Sequence, residues 1–161
     1  MNDKTGKFKD GFLSKISGNK LNLLIGEITS LLLLSPVHRK FQVRDIADII
    51  LPAIDLGQYR LYRNAKRQPI AFVTWGYFNE KTEAEYLNGK TVLSEKELKS
   101  GNILYMLDFI APYGHAKKVI NDLRNNVFPN SEAKSLHFIE QGKPRKKIKK
   151  FHGVNFRKAL N

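Results

Sequence analysis

Leucine and isoleucine return at three- and four-residue steps early in the chain. Leu21, Leu24, Ile25, Ile28, Leu31 and Leu32 share one face of a helix predicted over residues 20–34, with Asn19 as its cap. Ser35-Pro36 end it, because proline has no N–H and pushes the preceding residue out of helical geometry. Proline also fits the first turn of a new helix, so Ser35 can cap a short turn carrying His38. A second helix is predicted over residues 43–56, with Ile46, Ile49, Ile50, Ala53 and Ile54 on one face, a kink at Pro52 and a stop at Gly57. Residues 59–63 and 69–75 read as a hairpin around a turn at 64–68. Residues 79–89 are charged and fit a short helix or a loop. Residues 103–111 are almost wholly apolar and read as a central strand buried on both faces. Pro112 to Gly114 break that strand, a helix follows over 116–127, and a further strand over 135–140. This order predicts an α/β (α+β) sheet protein.

The chain has 161 residues, enough for one domain, and its 42% hydrophobic content supports a core. The expected division is a flexible lead at 1–18, one domain at 19–140 and a basic C-terminal segment at 141–161. Residues 1–18 contain no apolar leader core, and the longest apolar segment, 21–34, is interrupted by Glu27 and too short to span a bilayer. A cytoplasmic protein without a transmembrane segment is the expectation. The net charge is +13, and eight of the 28 Lys/Arg but none of the 15 acids stand in residues 141–161. The preceding 140 residues are therefore only mildly basic, at +5. A cationic tail of this kind attracts nucleic acid, anionic lipid or an acidic protein.

Cysteine is absent, which excludes disulfides, thiol catalysis and cysteine zinc sites. The four histidines, His38, His115, His137 and His152, are never three or four apart, so no metal site is expected. His38 has the most defined setting, between Ser35-Pro36 and Arg39, and histidine is the usual general base near neutral pH. Asp108 is the oddest residue, an acid within an apolar strand. A buried carboxylate is costly unless paired. A structural Asp bonded to backbone N–H groups would satisfy that requirement, and so would a partner histidine, whose tautomer the acid would hold. Gly114, His115 and Ala116 open a helix, where free N–H groups can take a phosphate, although a plain strand-to-helix turn looks the same.

The chain resembles the RTX-toxin-activating lysine acyltransferases, the hemolysin-activating C-protein family. The matching segments are Ser35-Pro36-Val37-His38-Arg39, Leu51-Pro52-Ala53-Ile54, Gln58-Tyr59, Pro69-Ile70-Ala71-Phe72 with Trp75, Glu85-Tyr86-Leu87, Asp108-Phe109-Ile110-Ala111-Pro112-Tyr113-Gly114 and Phe151-His152-Gly153. They keep the family's order and cover roughly residues 24–157. The resemblance implies a GNAT-like acyltransferase fold, with a mixed, mostly antiparallel sheet flanked by helices. It implies a cytoplasmic enzyme, homodimeric as in the family, that takes a fatty acyl group from acyl carrier protein. The acceptor is the ε-amine of internal lysines on an RTX protoxin, which acylation activates. The family's catalytic histidine and aspartate fall on His38 and Asp108, and its functionally implicated serine on Ser35. The chain departs from the family where Leu31 to Leu34 replace a tryptophan-rich segment, in a longer lead, and in a shorter stretch after Gly153.

Elementary chemistry agrees with that assignment. A lysine of pKa about 10.4 is protonated at neutral pH, so attack on a thioester needs a base. His38 would supply it, oriented by Asp108. The apolar helix 21–34 and strand 103–111 could line a slot for the acyl chain. A basic surface and the turn at Gly114, His115 and Ala116 suit an acidic carrier protein and its phosphopantetheine thioester, with no resident cofactor needed. A covalent acyl-enzyme on Ser35 or His38 is a variant of this reading. The alternative class is a basic binding module for nucleic acid or anionic membrane. It is the weaker reading for nucleic acid, because no such motif occurs in residues 1–140.

Overall fold

The computed structural model describes residues 18–139 and 145–159. Helix α1 (Gly18–Leu34) buries Leu21, Leu24, Ile28, Leu31 and Leu32, the face that the leucine spacing predicts. Gly18 is already helical, so Asn19 lies inside the helix and not at its cap. Ser35-Pro36 stop it, and a single 3₁₀ turn (His38–Lys40) follows. The predicted second helix is composite. Helix α2 (Val43–Asp45) runs through a π turn (Ile46–Ile50) into α3 (Leu51–Asp55). Pro52 has no N–H to give, and the helix accommodates it near its start by widening the turn just upstream.

Five strands form one sheet in sequential order: β1 (Tyr59–Arg63), β2 (Pro69–Phe78), β3 (Ile103–Ile110), β4 (Glu132–Ile139) and β5 (Arg145–His152). All neighbours are antiparallel except β3 and β4. A parallel pair needs a crossover. Helix α6 (Ala116–Asp122), with a π turn at Leu123–Val127, provides it. Two short helices, α4 (Glu80–Leu87) and α5 (Glu95–Leu98), link β2 to β3, and α7 (Val154–Lys158) follows β5. Helix α5, with a capping box from Ser94 and Glu97, falls in a stretch for which no element was predicted.

The basic C-terminal segment needs correction. Residues 145–152 are not a tail but an eight-residue edge strand, paired with β4 from Glu132↔His152 to Ile139↔Arg145. Lysines on an edge strand discourage further strand addition, which accounts for charge there without a ligand. The expected strand at 135–140 likewise starts earlier, at Glu132, because β5 offers it partners. Of the lead expected at 1–18, Gly18 already belongs to α1, and residues 1–17 lie outside the described residues.

The sheet is buried on both sides, as the apolar β3 predicts. On one face, Phe72 and Ile110 pack with Leu24, Ile28, Leu31 and Ile50, while Phe78 and Tyr105 pack with Leu93 and Leu98. On the other, Ala71, Val73, Trp75, Leu104 and Met106 pack with Val119, Leu123 and Phe128. Fully burying a large side chain of this kind stabilises by roughly 1.5–3 kcal/mol. Helix α1 is also tied to β1: Arg63 Nε donates to Glu27 Oε1 at 2.8 Å, and Arg63 Nη2 to the other carboxylate oxygen.

Two predictions follow from these contacts. A Cβ at Gly153 would meet the carbonyl oxygens of Phe128 and Pro129 at 2.1 and 2.4 Å. Gly153→Ala should therefore lower stability by about 1–3 kcal/mol in urea unfolding, because the clash outweighs the reduced entropy of the unfolded chain. The Arg63 guanidinium hydrogen-bonded to Glu27 holds that carboxyl below its ordinary value of 4.5. A folded pKa below the unfolded one stabilises above the unfolded value, and that stabilisation is lost as pH falls through the folded value. The stability difference between the wild type and Glu27→Gln should be constant above about pH 4.5 and shrink below it, as read by urea unfolding at stepped pH.

Candidate active site

Ser35 and His38 sit on the turn that Pro36 forces at the end of α1. Ser35 Oγ lies 2.7 Å from His38 Nδ1 and accepts a longer bond, 3.4 Å, from the His38 backbone N–H. His38 Nε2 faces Asp108 Oδ1 at 3.5 Å, with the side chains only 13% and 9% exposed. Phe41 packs edge-on against the imidazole at 5.2 Å between ring centres. Residues 70 positions apart thus meet: Ser35, His38 and Asp108 form one chain of polar contacts.

Asp108 reaches this face of the sheet through an irregularity. Val73 pairs with Phe109 and Trp75 with Met106, so one residue of β2, Thr74, stands opposite two of β3, Leu107 and Asp108. This is a β-bulge, which re-aims side chains beyond it. Under strict alternation Asp108 would share the face of Leu104 and Met106, toward α6. Instead Phe109 packs on that face, and Ile110 packs with α1. Asp108 is turned toward α1 and the His38 turn. Thr74, fully buried, donates from Oγ1 to Asp108 Oδ2 at 2.6 Å and accepts from the Asp108 backbone N–H at 3.1 Å.

One tautomer suits both contacts: with the proton on Nε2, facing Asp108, Nδ1 is free to accept from the Ser35 hydroxyl. The order differs from a serine-protease triad, in which the acid holds Nδ1.

His38 and Asp108 line a cavity of about 990 Å³, near the top of the usual ~300–1,000 Å³ range for ligand pockets. Its origin lies in the sheet. The β3–β4 ladder covers only Leu104↔Ala133 to Met106↔Ser135, after which the strands part. Leu93, Leu98 and Leu107 from one core and Met106, Leu123 and Phe128 from the other line the same space, so the cavity passes between the strands. Ser135, where they separate, keeps a buried hydroxyl oxygen without a protein partner. Tyr86 also lines the cavity; burial, and then the charge of Asp108, push its phenol up to about 12, so it stays a hydrogen-bond donor at neutral pH. At another part of the wall, Arg124 Nε donates to the His152 carbonyl at 2.8 Å, and His152 Nε2 lies 3.0 Å from Glu132. Hydrogen bonds from Lys150, and then His152, hold the Glu132 carboxyl below its ordinary range.

Of the residues singled out in the sequence, the fold brings Ser35, His38 and Asp108 together. Gly114, His115 and Ala116 are not in the cavity wall. Gly114 takes a positive φ of 79° in the turn before α6, and His115 Nδ1 is buried without a protein partner. The His137 side chain lies outside the described residues. Among the described residues no cluster of His, Asp or Glu could hold a metal ion, and no helix is long and apolar enough to cross a membrane. Thr74 and Tyr86 escaped sequence reasoning as site residues. A threonine in an otherwise apolar strand was the available signal for Thr74.

The mixed, mostly antiparallel sheet with its helices and parted central strands is a GNAT-like fold. The match to the RTX toxin acyltransferase family extends over residues 17–152, and the chain belongs to that family. It is 42% identical over 135 residues to an uncharacterized protein of Synechocystis, covering 83% of this chain and 91% of the relative. It is 37% identical over 109 residues to the lysine-acyltransferase RtxC of Vibrio cholerae, covering 68% and 71%. Against the RTX-I toxin-activating lysine-acyltransferase ApxIC of Actinobacillus pleuropneumoniae, identity is 33% over 146 residues, covering 91% and 81%.

Proposed function

We propose that this acyltransferase moves a fatty acyl group from the phosphopantetheine thioester of acyl carrier protein to lysine ε-amines of an RTX protoxin, in the cytoplasm and as a homodimer. The observation that carries the reading is the Ser35–His38–Asp108 contact on the wall of an apolar cavity. The cavity accepts a fatty chain, and the basic surface complements an acidic carrier. The thiol arm enters between the parted strands, and Gly114, His115 and Ala116, outside the wall, contact its phosphate end.

In the reaction the lysine first gives its ammonium proton to solvent, and the neutral nitrogen then attacks the thioester carbonyl carbon. As the C–N bond forms, the nitrogen sheds a proton to Ser35 Oγ while Ser35 passes its own to His38 Nδ1. Asp108 holds Nε2–H and stabilises the imidazolium. The tetrahedral intermediate collapses with cleavage of the C–S bond. The imidazolium proton returns through Ser35 to the leaving thiolate, which gives an amide and the free thiol of the carrier.

Removing a general base costs about 10²–10⁴ in rate. His38→Ala should fold, as judged by circular dichroism, and lose transfer by that factor. Undiminished transfer by the folded variant would remove His38 from this role. The 2.7 Å contact between Ser35 Oγ and His38 Nδ1 also favours a second reading, in which Ser35 is the nucleophile of an acyl-enzyme. The relay predicts that the protein mixed with acyl carrier protein alone gains no acyl mass, and that Ser35→Ala keeps measurable transfer. An acyl adduct on Ser35, with no transfer by the alanine variant, would put the acyl-enzyme in its place.

A further inference from the structure

We infer that Thr74 is a positioning residue for the transfer reaction, holding Asp108 in the one orientation that serves His38; the inference rests on the acyl-transfer reading above. The bulge at Leu107 and Asp108 takes a residue out of regular pairing, and an unpaired backbone N–H in a buried strand is costly. Thr74 Oγ1 accepts that N–H at 3.1 Å. A hydroxyl has one proton and two lone pairs, so its own hydrogen remains to be given, and it goes to Asp108 Oδ2 at 2.6 Å. The two bonds close a ring through the backbone and side chain of a single residue. They fix both the bulge and the carboxylate plane. With Oδ2 occupied, Oδ1 is the oxygen that meets His38 Nε2.

Thr74 is fully buried on the same face as Phe72 and Phe78 and is not among the residues lining the cavity, so its effect on the reaction runs through Asp108. A simple requirement that a buried hydroxyl be bonded would be met by either contact alone. Both together aim the acid. Valine has the shape of threonine without the hydroxyl, and serine keeps the hydroxyl without the methyl.

The test measures transfer from acylated carrier protein to a protoxin fragment for Thr74→Val, Thr74→Ser, Asp108→Asn and the Thr74→Val/Asp108→Asn double variant. Misplacing a catalytic group by about 1 Å can cost roughly 10²-fold. Thr74→Val should lose about that factor in kcat with KM for the donor unchanged, and Thr74→Ser should restore most of it. The double variant should be no slower than Asp108→Asn. Equal loss from valine and serine, a rise in KM without a fall in kcat, or additive losses in the double variant would overturn the inference. In the wild type the Asp108 amide should be protected from hydrogen exchange, a readout independent of how the valine variant folds; free exchange would also overturn it. Wild-type protein that transfers nothing would instead count against the acyl-transfer reading.

Discussion

The bulge at Leu107 and Asp108, opposite Thr74, is the constraint on which the site depends. A strand shows alternate residues to opposite faces, so one extra residue decides which side of the sheet every later side chain meets. Without it, Asp108 would point toward the layer of Val119 and Leu123, away from the turn that carries His38. With it, the same strand supplies apolar walls to both cores and one carboxylate to the face where α1 ends. Two contacts offset the cost of burying that carboxylate: the hydrogen bond that Thr74 donates to Oδ2 and the His38 imidazole facing Oδ1 at 3.5 Å.

The rest of the architecture serves the meeting of two distant segments. Pro36 ends α1 where Leu31 and Leu32 are anchored in the core, so the His38 turn is fixed to a rigid element. The crossover from β3 to β4 makes a parallel pair that is short, and its early end opens the sheet. Helices on both sides keep the opening apolar. The His38–Asp108 contact and the cavity are therefore consequences of the same central strand, which carries the bulge in its second half and loses its β4 partner at the same point.

Much of this was legible in the residues. The α1 face followed from leucine spacing, and β3 from its almost wholly apolar run. Asp108 stood out because an acid in such a run demands a reason. Joining it to His38 came from the family resemblance, since no periodicity links residues 70 positions apart. The bulge had no signature, because a shift of one residue within a strand buried on both faces leaves the hydrophobic pattern unchanged. Thr74 was hidden for the same reason: its role exists only across the pairing. The lysine-rich run was read as a tail because its charge masks strand character, and only its pairing with β4 reveals the edge strand. The π turn before Pro52 was likewise anticipated as a kink, since sequence shows the missing N–H but not how the turn widens to accept it.

The central claim is that His38, held by a bulge-directed Asp108, drives acyl transfer to lysine. Its most direct measurement is the intact mass of an RTX protoxin after incubation with acylated carrier protein and either wild-type protein or Asp108→Asn. The account predicts a gain of one acyl mass per modified lysine with the wild type, and a rate lower by about 10²-fold or more with the folded variant. No mass gain with the wild type, or equal rates for the two proteins, would contradict it.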